Sequence, residues 1–337
     1  MEPPSILVMQ VASPGGPAAL QAASRPMPVA RDHEVVVQAR AIGISSADMM
    51  IRRGEYKWMP PLPAIPGNEM AGVVVAVGAQ VDGALRGQHV LVSSRELPVR
   101  GGCYADAVAV PAEALFLLPP GVSFTDAVSL PNFQLAGALL YESGVRRPRS
   151  IAVYGASGGV GLAIAQLATA SGIDCIGVVS THEKAAFVRA AGIPEVLLRD
   201  DDLPSTVMEL THGRGVDVVY SLAGPDMIRN LDLLAPLGTL LSYSHLGGFM
   251  PDADFYGALR QRLGRSLGVR VYSIHTLDEQ HETRRGLLNG ALELMACGKL
   301  MPPPPTRWPL SRAAEAHEAM ESRQTLGKVV LVPDSLW

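Results

Sequence analysis

The sequence predicts an α/β protein in which a β-rich part, formed by both termini, carries a doubly wound parallel sheet inserted into it. Three observations carry this. Residues 1–120 hold short β-like runs punctuated by glycine and proline. Strand and helix patterns then alternate from residue 150 to residue 274. The last run, Gly327-Lys-Val-Val-Leu-Val-Pro333, reads as a strand with no place in a parallel sheet. The expected domains are 1–123 with 276–337, and 124–275.

In the first part, strands are expected at 6–11, 34–42, 70–77, 89–93 and 104–110, separated by turn signals such as Ser13-Pro-Gly-Gly and Pro119-Pro-Gly. The helical pattern there is confined to 46–53. A helix follows at 125–143. Strands at 150–154, 174–179, 195–198, 216–221, 239–243 and 269–274 then alternate with helices at 159–171, 182–191, 205–211 and 227–234. Units of this size imply right-handed crossovers and a parallel sheet. The chain ends with a helix at 282–297, an extended Pro302-Pro-Pro-Pro, a short helix at 311–322 and the terminal strand.

Composition narrows the function. Of 337 residues, 48% are apolar and 18% charged, which supports a large core and excludes wholesale disorder. The net charge is −4 and the 28 Lys and Arg are scattered, so the surface offers no electrostatic reason to bind nucleic acid or an anionic membrane. Three cysteines without a CxxC fit a reducing compartment and argue against a disulfide framework or structural zinc. The uncharged stretch 150–173 is long enough to span a bilayer, but its glycines and strand–turn–helix pattern read as a buried βα unit. The N-terminus lacks the basic and apolar regions of a signal peptide, and a soluble cytoplasmic protein is expected.

The strongest site signal is Ser150-Ile-Ala-Val-Tyr-Gly155-Ala156-Ser157-Gly158-Gly159-Val160-Gly161, an apolar strand running through a glycine turn into a helix. In this context the pattern is a dinucleotide fingerprint: small residues let the backbone approach a pyrophosphate at a helix N-terminus. Ala156 stands where the first glycine is usual. The second strand should end near the adenosine ribose, where NAD sites place an acid. This chain has Ser180-Thr181-His182-Glu183-Lys184 instead. Hydroxyls with Lys184, and Arg199 after the third strand, suit a 2′-phosphate, so NADPH is the expected cofactor.

Further motifs are Gly43-Ile-Ser-Ser-Ala-Asp48, Arg53-Gly-Glu-Tyr56, Pro66-Gly-Asn-Glu69-Met-Ala-Gly72, Gly87-Gln-His-Val90 and Gly101-Gly-Cys-Tyr-Ala105. With the glycine turn and the terminal Gly327-Lys-Val-Val, in this order, the chain resembles the zinc-independent quinone oxidoreductase (zeta-crystallin-like) and enoyl reductase branch of the medium-chain dehydrogenase/reductase superfamily. The resemblance implies a GroES-like catalytic domain from both termini, an inserted Rossmann domain, and a homodimer paired through residues 269–274. Zinc alcohol dehydrogenases of that superfamily carry a cysteine ligand and a Gly-His-Glu where this chain has Ser45 and Asn68. None of the 8 histidines falls in a ligand-spaced cluster, so no metal is expected.

What the resemblance implies is hydride transfer from NADPH to a small hydrophobic electrophile, a quinone or α,β-unsaturated carbonyl. Tyr56, Asp48 and Ser45 are the expected catalytic set. Tyr56 would donate a hydrogen bond or proton to the substrate oxygen, and Asp48 would act as an organising acceptor near the nicotinamide ribose. A packed loop tyrosine, and a helix cap or a charge pair with Arg52 or Arg53, are the plainer readings of Tyr56 and Asp48. Where similar quinone oxidoreductases carry Asn, Tyr and Thr, this chain has Ser45, Met50 and Ala136, which makes the pocket more apolar. Met49, Met50, Trp58, Met59 and Phe133 would line it, with Phe249 from a lid at 244–257. A biosynthetic enoyl reductase or a natural-product tailoring enzyme, reducing an imine or cyclising its substrate, is the alternative within enzymes. A non-catalytic NADPH-binding structural or regulatory protein is the alternative outside them.

Overall fold

A computed structural model describes residues 4–142, 144–145, 147–222, 224, 226–244 and 255–337. In chain order its elements begin with β1 (Ser5–Val11), β2 (Leu20–Pro26), β3 (Glu34–Ile44), α1 (Ser46–Arg53), β4 (Glu69–Val77), β5 (His89–Ser93), β6 (Ala107–Pro111) and β7 (Leu115–Leu117). Next come α2 (Phe124–Ala127), α3 (Leu130–Gly137), β8 (Ser150–Tyr154), α4 (Gly159–Ala170), β9 (Asp174–Val179), α5 (His182–Ala190), β10 (Glu195–Leu198) and α6 (Leu203–Leu210). Then follow β11 (Val216–Leu222), α7 (Met227–Asn230), β12 (Leu234–Ser244), α8 (Phe255–Gln261), β13 (Gly268–Val271), α9 (His281–Ala296), β14 (Thr306–Pro309), α10 (Ala313–Glu321) and β15 (Val329–Val332).

The chain forms two compact units. One holds the residues up to Pro131 with Leu292–Gly298 and Pro302–Trp337; the other holds Asn132–Ala291 with Lys299–Met301. In the first, a sheet runs in the order β14-β15-β3-β4-β5-β7, with β6 also on β3, and β1 and β2 pair separately. The terminal strand returns to this unit: β15 lies antiparallel to β3, with Val330 opposite Gly43 and Leu331 opposite Ile42. Val35, Val37, Ile42, Val90 and Leu331 are wholly buried in its core, each stabilising by about 1.5–3 kcal/mol relative to exposure.

The second unit is a six-stranded parallel sheet in the order β10-β9-β8-β11-β12-β13, the doubly wound Rossmann order. Its topological switch lies between β8 and β11, where such sheets open a crevice beyond their C-terminal strand ends.

Where local structure departs from the sequence expectation, a physical reason is visible. The helix expected over 125–143 is broken: α2 ends at Ala127, α3 starts at Leu130, and a π turn, Ala138–Glu142, follows. Pro131 has no N–H to carry the earlier helix through, and it sits instead in the first turn of α3, where that N–H would have no helical partner. The strand expected over 104–110 starts only at Ala107, because Tyr104 is engaged in loop pairing with Met9 and Pro66. β2 has little apolar alternation and forms as the antiparallel partner of β1. The strand expected over 269–274 stops at Val271, and a 3-10 turn takes Ile274. The return near 276 falls at Leu292 instead, inside α9, whose first half is tied to α3 by Gln134 Nε2 donating to Arg284 O at 2.7 Å. Among the described residues no helix is long and apolar enough to cross a membrane.

Candidate functional site

The glycine turn begins at the end of β8, all of whose residues are buried. Gly155 takes φ +70°, its N–H donates to Val178 O at 3.0 Å, and Gly158 N donates to Gly155 O at 2.9 Å. Gly158 is the N-cap of α4, so no side chain occupies the first-turn N–H groups. It is exposed, with room around its Cα, which leaves the backbone open to a ligand. Gly161 has a different reason to be glycine: a Cβ there would stand 2.2 Å from Gly155 O. The departure at Ala156 is also accounted for. A Cβ on Gly177 of β9 would come within 3.2 Å of the Ala156 methyl, so Gly177 supplies the space that the missing glycine otherwise would. Ser157 is buried beside it, and Gly159 and Val160 are half-buried on the first turn of α4.

At the end of β9, Thr181 caps α5 by accepting from Lys184 N at 3.2 Å, and Lys184 Nζ donates to Ser180 Oγ at 3.3 Å. Ser180, Thr181 and Lys184 therefore lie together at the strand end. Arg199 is anchored there through its N–H to Val179 O at 2.8 Å, and its half-exposed guanidinium lies 3.6 Å from Asp226. Arg229, which sequence reasoning missed, donates to the carbonyls of Arg199 and Asp201 at 3.3 and 2.5 Å. Its signal would have been its place just after β11, on the crevice side of the sheet. Tyr243 Oη donates to Tyr154 O at 2.8 Å, joining the ends of β12 and β8. Burial pushes both phenols well up, so both stay protonated.

In the β-rich unit, Ser45 is the N-cap of α1 and the third residue of the helix, Asp48, turns back on the cap. Asp48 is wholly buried. Its Oδ2 accepts from Ser45 N at 2.7 Å and Ser45 Oγ at 2.8 Å, and its Oδ1 from Gly67 N at 2.8 Å and Asn68 Nδ2 at 2.7 Å. The expected role of Asp48, an acceptor beside the nicotinamide ribose, is not open to it, because these donors already fill the carboxylate. It is a helix cap. The charge pair with Arg52 or Arg53 does not form either, since both arginines bind Glu321. Burial, then Glu69, raises Asp48 to about 6 against the opposing bonds from Ser45 and Gly67.

Beside Asp48, buried Glu69 pairs with buried Lys328, whose Nζ also donates to Ile44 O at 3.0 Å. A Cβ on Gly43 would lie 2.5 Å from Glu69 Oε1, so the glycine at 43 makes room for this pair. Cys103 is buried, and desolvation together with Asp48 and Glu69 keeps it a thiol. Among the described residues no group of His, Cys, Asp and Glu could hold a metal ion.

Tyr56 is buried with Ile51 and Ala64, with Met50 and Met59 packed against them, and its ring centroid is 5.7 Å from that of Trp58. Trp58 is partly exposed, with Lys57 Nζ 5.3 Å from its centroid. Four of the residues expected at the pocket, Tyr56, Met50, Trp58 and Met59, thus lie together in one packed cluster. Met49 is buried on α1. Phe133 and Ala136 are buried on α3 in the other unit. Phe249 lies outside the described residues, as does most of the expected lid.

Comparison with known proteins agrees with this geometry. A family model for the alcohol dehydrogenase GroES-like domain matches residues 31–120, and one for zinc-binding dehydrogenases matches 192–331. Quinone oxidoreductase 1 of Escherichia coli is 32% identical over 95% of this chain and 97% of its own. The human synaptic vesicle membrane protein VAT-1 homolog is 30% identical over 95% of this chain and 84% of its own. The crystal structure of Escherichia coli quinone oxidoreductase complexed with NADPH superposes with a TM-score of 0.82 at 31% identity, covering 97% of this chain and all of that one. With both domain models in place and end-to-end relatives at this identity, the chain belongs to the quinone oxidoreductase branch of the medium-chain dehydrogenase/reductase superfamily.

Proposed function

We propose that the chain is an NADPH-dependent, zinc-independent reductase that transfers hydride to an electron-poor double bond of a quinone or α,β-unsaturated carbonyl. The observation that carries this is the nucleotide end of the parallel sheet: a bare glycine N-cap on α4, with the Ser180 hydroxyl and the Lys184 ammonium together at the end of β9. The fit is chemical. The exposed Gly158 N-cap admits a pyrophosphate against the α4 N-terminus, and Lys184 with Ser180 offers donors to a 2′-phosphate. The relative solved with NADPH supports the same cofactor. When bound, NADPH supplies the hydride.

The chain's own residues hold and polarise. Tyr56 donates to the substrate oxygen, which gains charge as the double bond is reduced. The apolar side chains packed around Tyr56 (Met50 and Met59, with Trp58 beside its ring) select a hydrophobic substrate. The donor set is wrong for a catalytic zinc. Ser45 and Asn68 replace the ligands of zinc relatives, and both side chains are committed to Asp48. The outer edge of β13, with Val269, Arg270 and Val271 exposed, would pair two copies into a homodimer. The loss of polar groups at Met50 and Ala136 favours, as a second reading, an acyl-chain enoyl reductase. NADPH oxidation against 1,4-benzoquinone, an alkyl enone and an enoyl thioester, with NADH in parallel, tests both. Turnover of quinone and enone supports the first reading, and preference for the thioester supports the second. NADPH binding without any turnover overturns both and leaves a binding protein.

A further inference from the structure

The hydrogen bonds around Asp48 have an asymmetry with chemical consequences. Two of its four donors are backbone N–H groups, of Ser45 and Gly67, which can only donate. The third is the amide of Asn68, whose orientation is set by Ser94 Oγ donating to Asn68 Oδ1 at 2.6 Å. The fourth is the Ser45 hydroxyl, which can reverse and accept by rotation about its Cβ–Oγ bond alone. A proton on Asp48 Oδ2 is accepted by Ser45 Oγ with no movement of a heavy atom, and accepting it frees the Ser45 O–H to point elsewhere. Asp48 is wholly buried while Ser45, its hydrogen-bonded neighbour, is half-buried.

We propose that Asp48 and Ser45 form a proton-delivery pair that completes the reduction, Ser45 giving its proton to the substrate as Asp48 gives its own to Ser45. This rests on the reductase reading above. The hydride brings the electron pair of the new C–H bond at the β carbon, and the π pair of the double bond moves onto the enolate. The Ser45 O–H bond breaks and its proton forms the α C–H bond with that pair. The Asp48 O–H bond breaks and the Ser45 O–H bond reforms. Asp48 is left as a carboxylate held by four donors and regains a proton from water. Tyr56 keeps the separate role of donor to the oxygen.

The surroundings suit this. Glu69 of β4 repels charge on Asp48 and is itself neutralised by Lys328, which precedes β15. Cys103 and Tyr104, from the loop before β6, are kept protonated by burial and by the same two carboxylates, so neither takes the proton. Arg52 of α1 is engaged by Glu321. With Asp48 raised to about 6, roughly a tenth of it carries the proton at pH 7.

Two readouts test the pair. Infrared difference spectra of the protein without substrate, between pH 8 and 5, should show a carboxylic C=O band. It should move to higher wavenumber in Ser45→Ala, where the acid proton loses its acceptor, and return in Ser45→Thr. In turnover of an enone, Ser45→Ala should lower kcat roughly a hundredfold, the lower end of general acid catalysis, and abolish its pH dependence near 6 while NADPH affinity holds. Ser45→Thr should restore both. A band unmoved in Ser45→Ala, or a pH profile preserved in it, would overturn the proposal. No turnover by the unaltered protein would remove the reductase reading and the delivery step with it, whereas the infrared shift reports the pair independently.

Discussion

The nucleotide end of the parallel sheet and the polar cluster under α1 are built in opposite ways. The first consists of neighbours in sequence: one strand, one glycine turn, one helix start, and a second strand end. Its open groups are the backbone N–H donors of the α4 N-terminus and the side chains of Ser180 and Thr181. The second draws Ser45, Asp48, Gly67, Asn68, Glu69, Cys103 and Lys328 from separate stretches into a buried network. A surface built from local backbone can be altered at small cost in stability, whereas a buried network carries stability and function together.

Substitutions sharpen that contrast, and the largest effect belongs in the network. Lys328→Met leaves Glu69 buried without its cation and should cost about 3–5 kcal/mol in chemical denaturation. A loss below 1 kcal/mol would mean the pair is not desolvated.

The next effect is a pH dependence with two opposed parts. Asp48 is raised from 3.8 to about 6, so the native state binds the extra proton and stability from this group falls as pH rises from about 4 to 6, by ~3 kcal/mol at 1.36 kcal/mol per pH unit. His317, buried against Tyr104 Oη at 2.8 Å, is lowered from 6.5 to about 3 by burial and by Arg52 and Arg53. Its contribution is full above about 6.5 and is lost as pH falls toward 3. The two offset each other between pH 4 and 6. His317→Gln should therefore expose stability that falls with rising pH there, and Asp48→Asn the reverse slope. Parallel denaturation curves for the two variants would contradict this.

Gly161→Ala places a methyl against Gly155 O and should cost about 1–3 kcal/mol, weakening NADPH and NADH equally in titration. Lys184→Ala is the smallest. It should weaken NADPH about tenfold, ~1.4 kcal/mol, leave NADH unchanged, and leave stability within ~0.5 kcal/mol. Equal loss for both cofactors would remove the 2′-phosphate from Lys184.

The same contrast explains what could be read from the chain alone. The βα units, the glycine turn and the return of Gly327-Lys-Val-Val to the β-rich unit are legible because periodicity and turn chemistry are local. The break at Pro131 was legible in principle from the proline itself. The carboxylate of Asp48 was not, because three of the elements around it are remote in sequence and its filled acceptor sites exist only once Gly67 and Asn68 arrive. Arg229 escaped for a similar reason, since only the parallel order of β10, β9, β8 and β11 brings its strand end toward Arg199.

The most direct test is the fate of the hydride. NADPH deuterated at the transferring position of its nicotinamide C4 is incubated with the protein and an alkyl enone, and the product is read by mass spectrometry and NMR. The account predicts saturated ketone carrying the deuterium at its β carbon and a solvent-derived hydrogen at its α carbon. Recovery of unreacted enone from a sample shown to bind NADPH, or of product without deuterium at the β carbon, would contradict it.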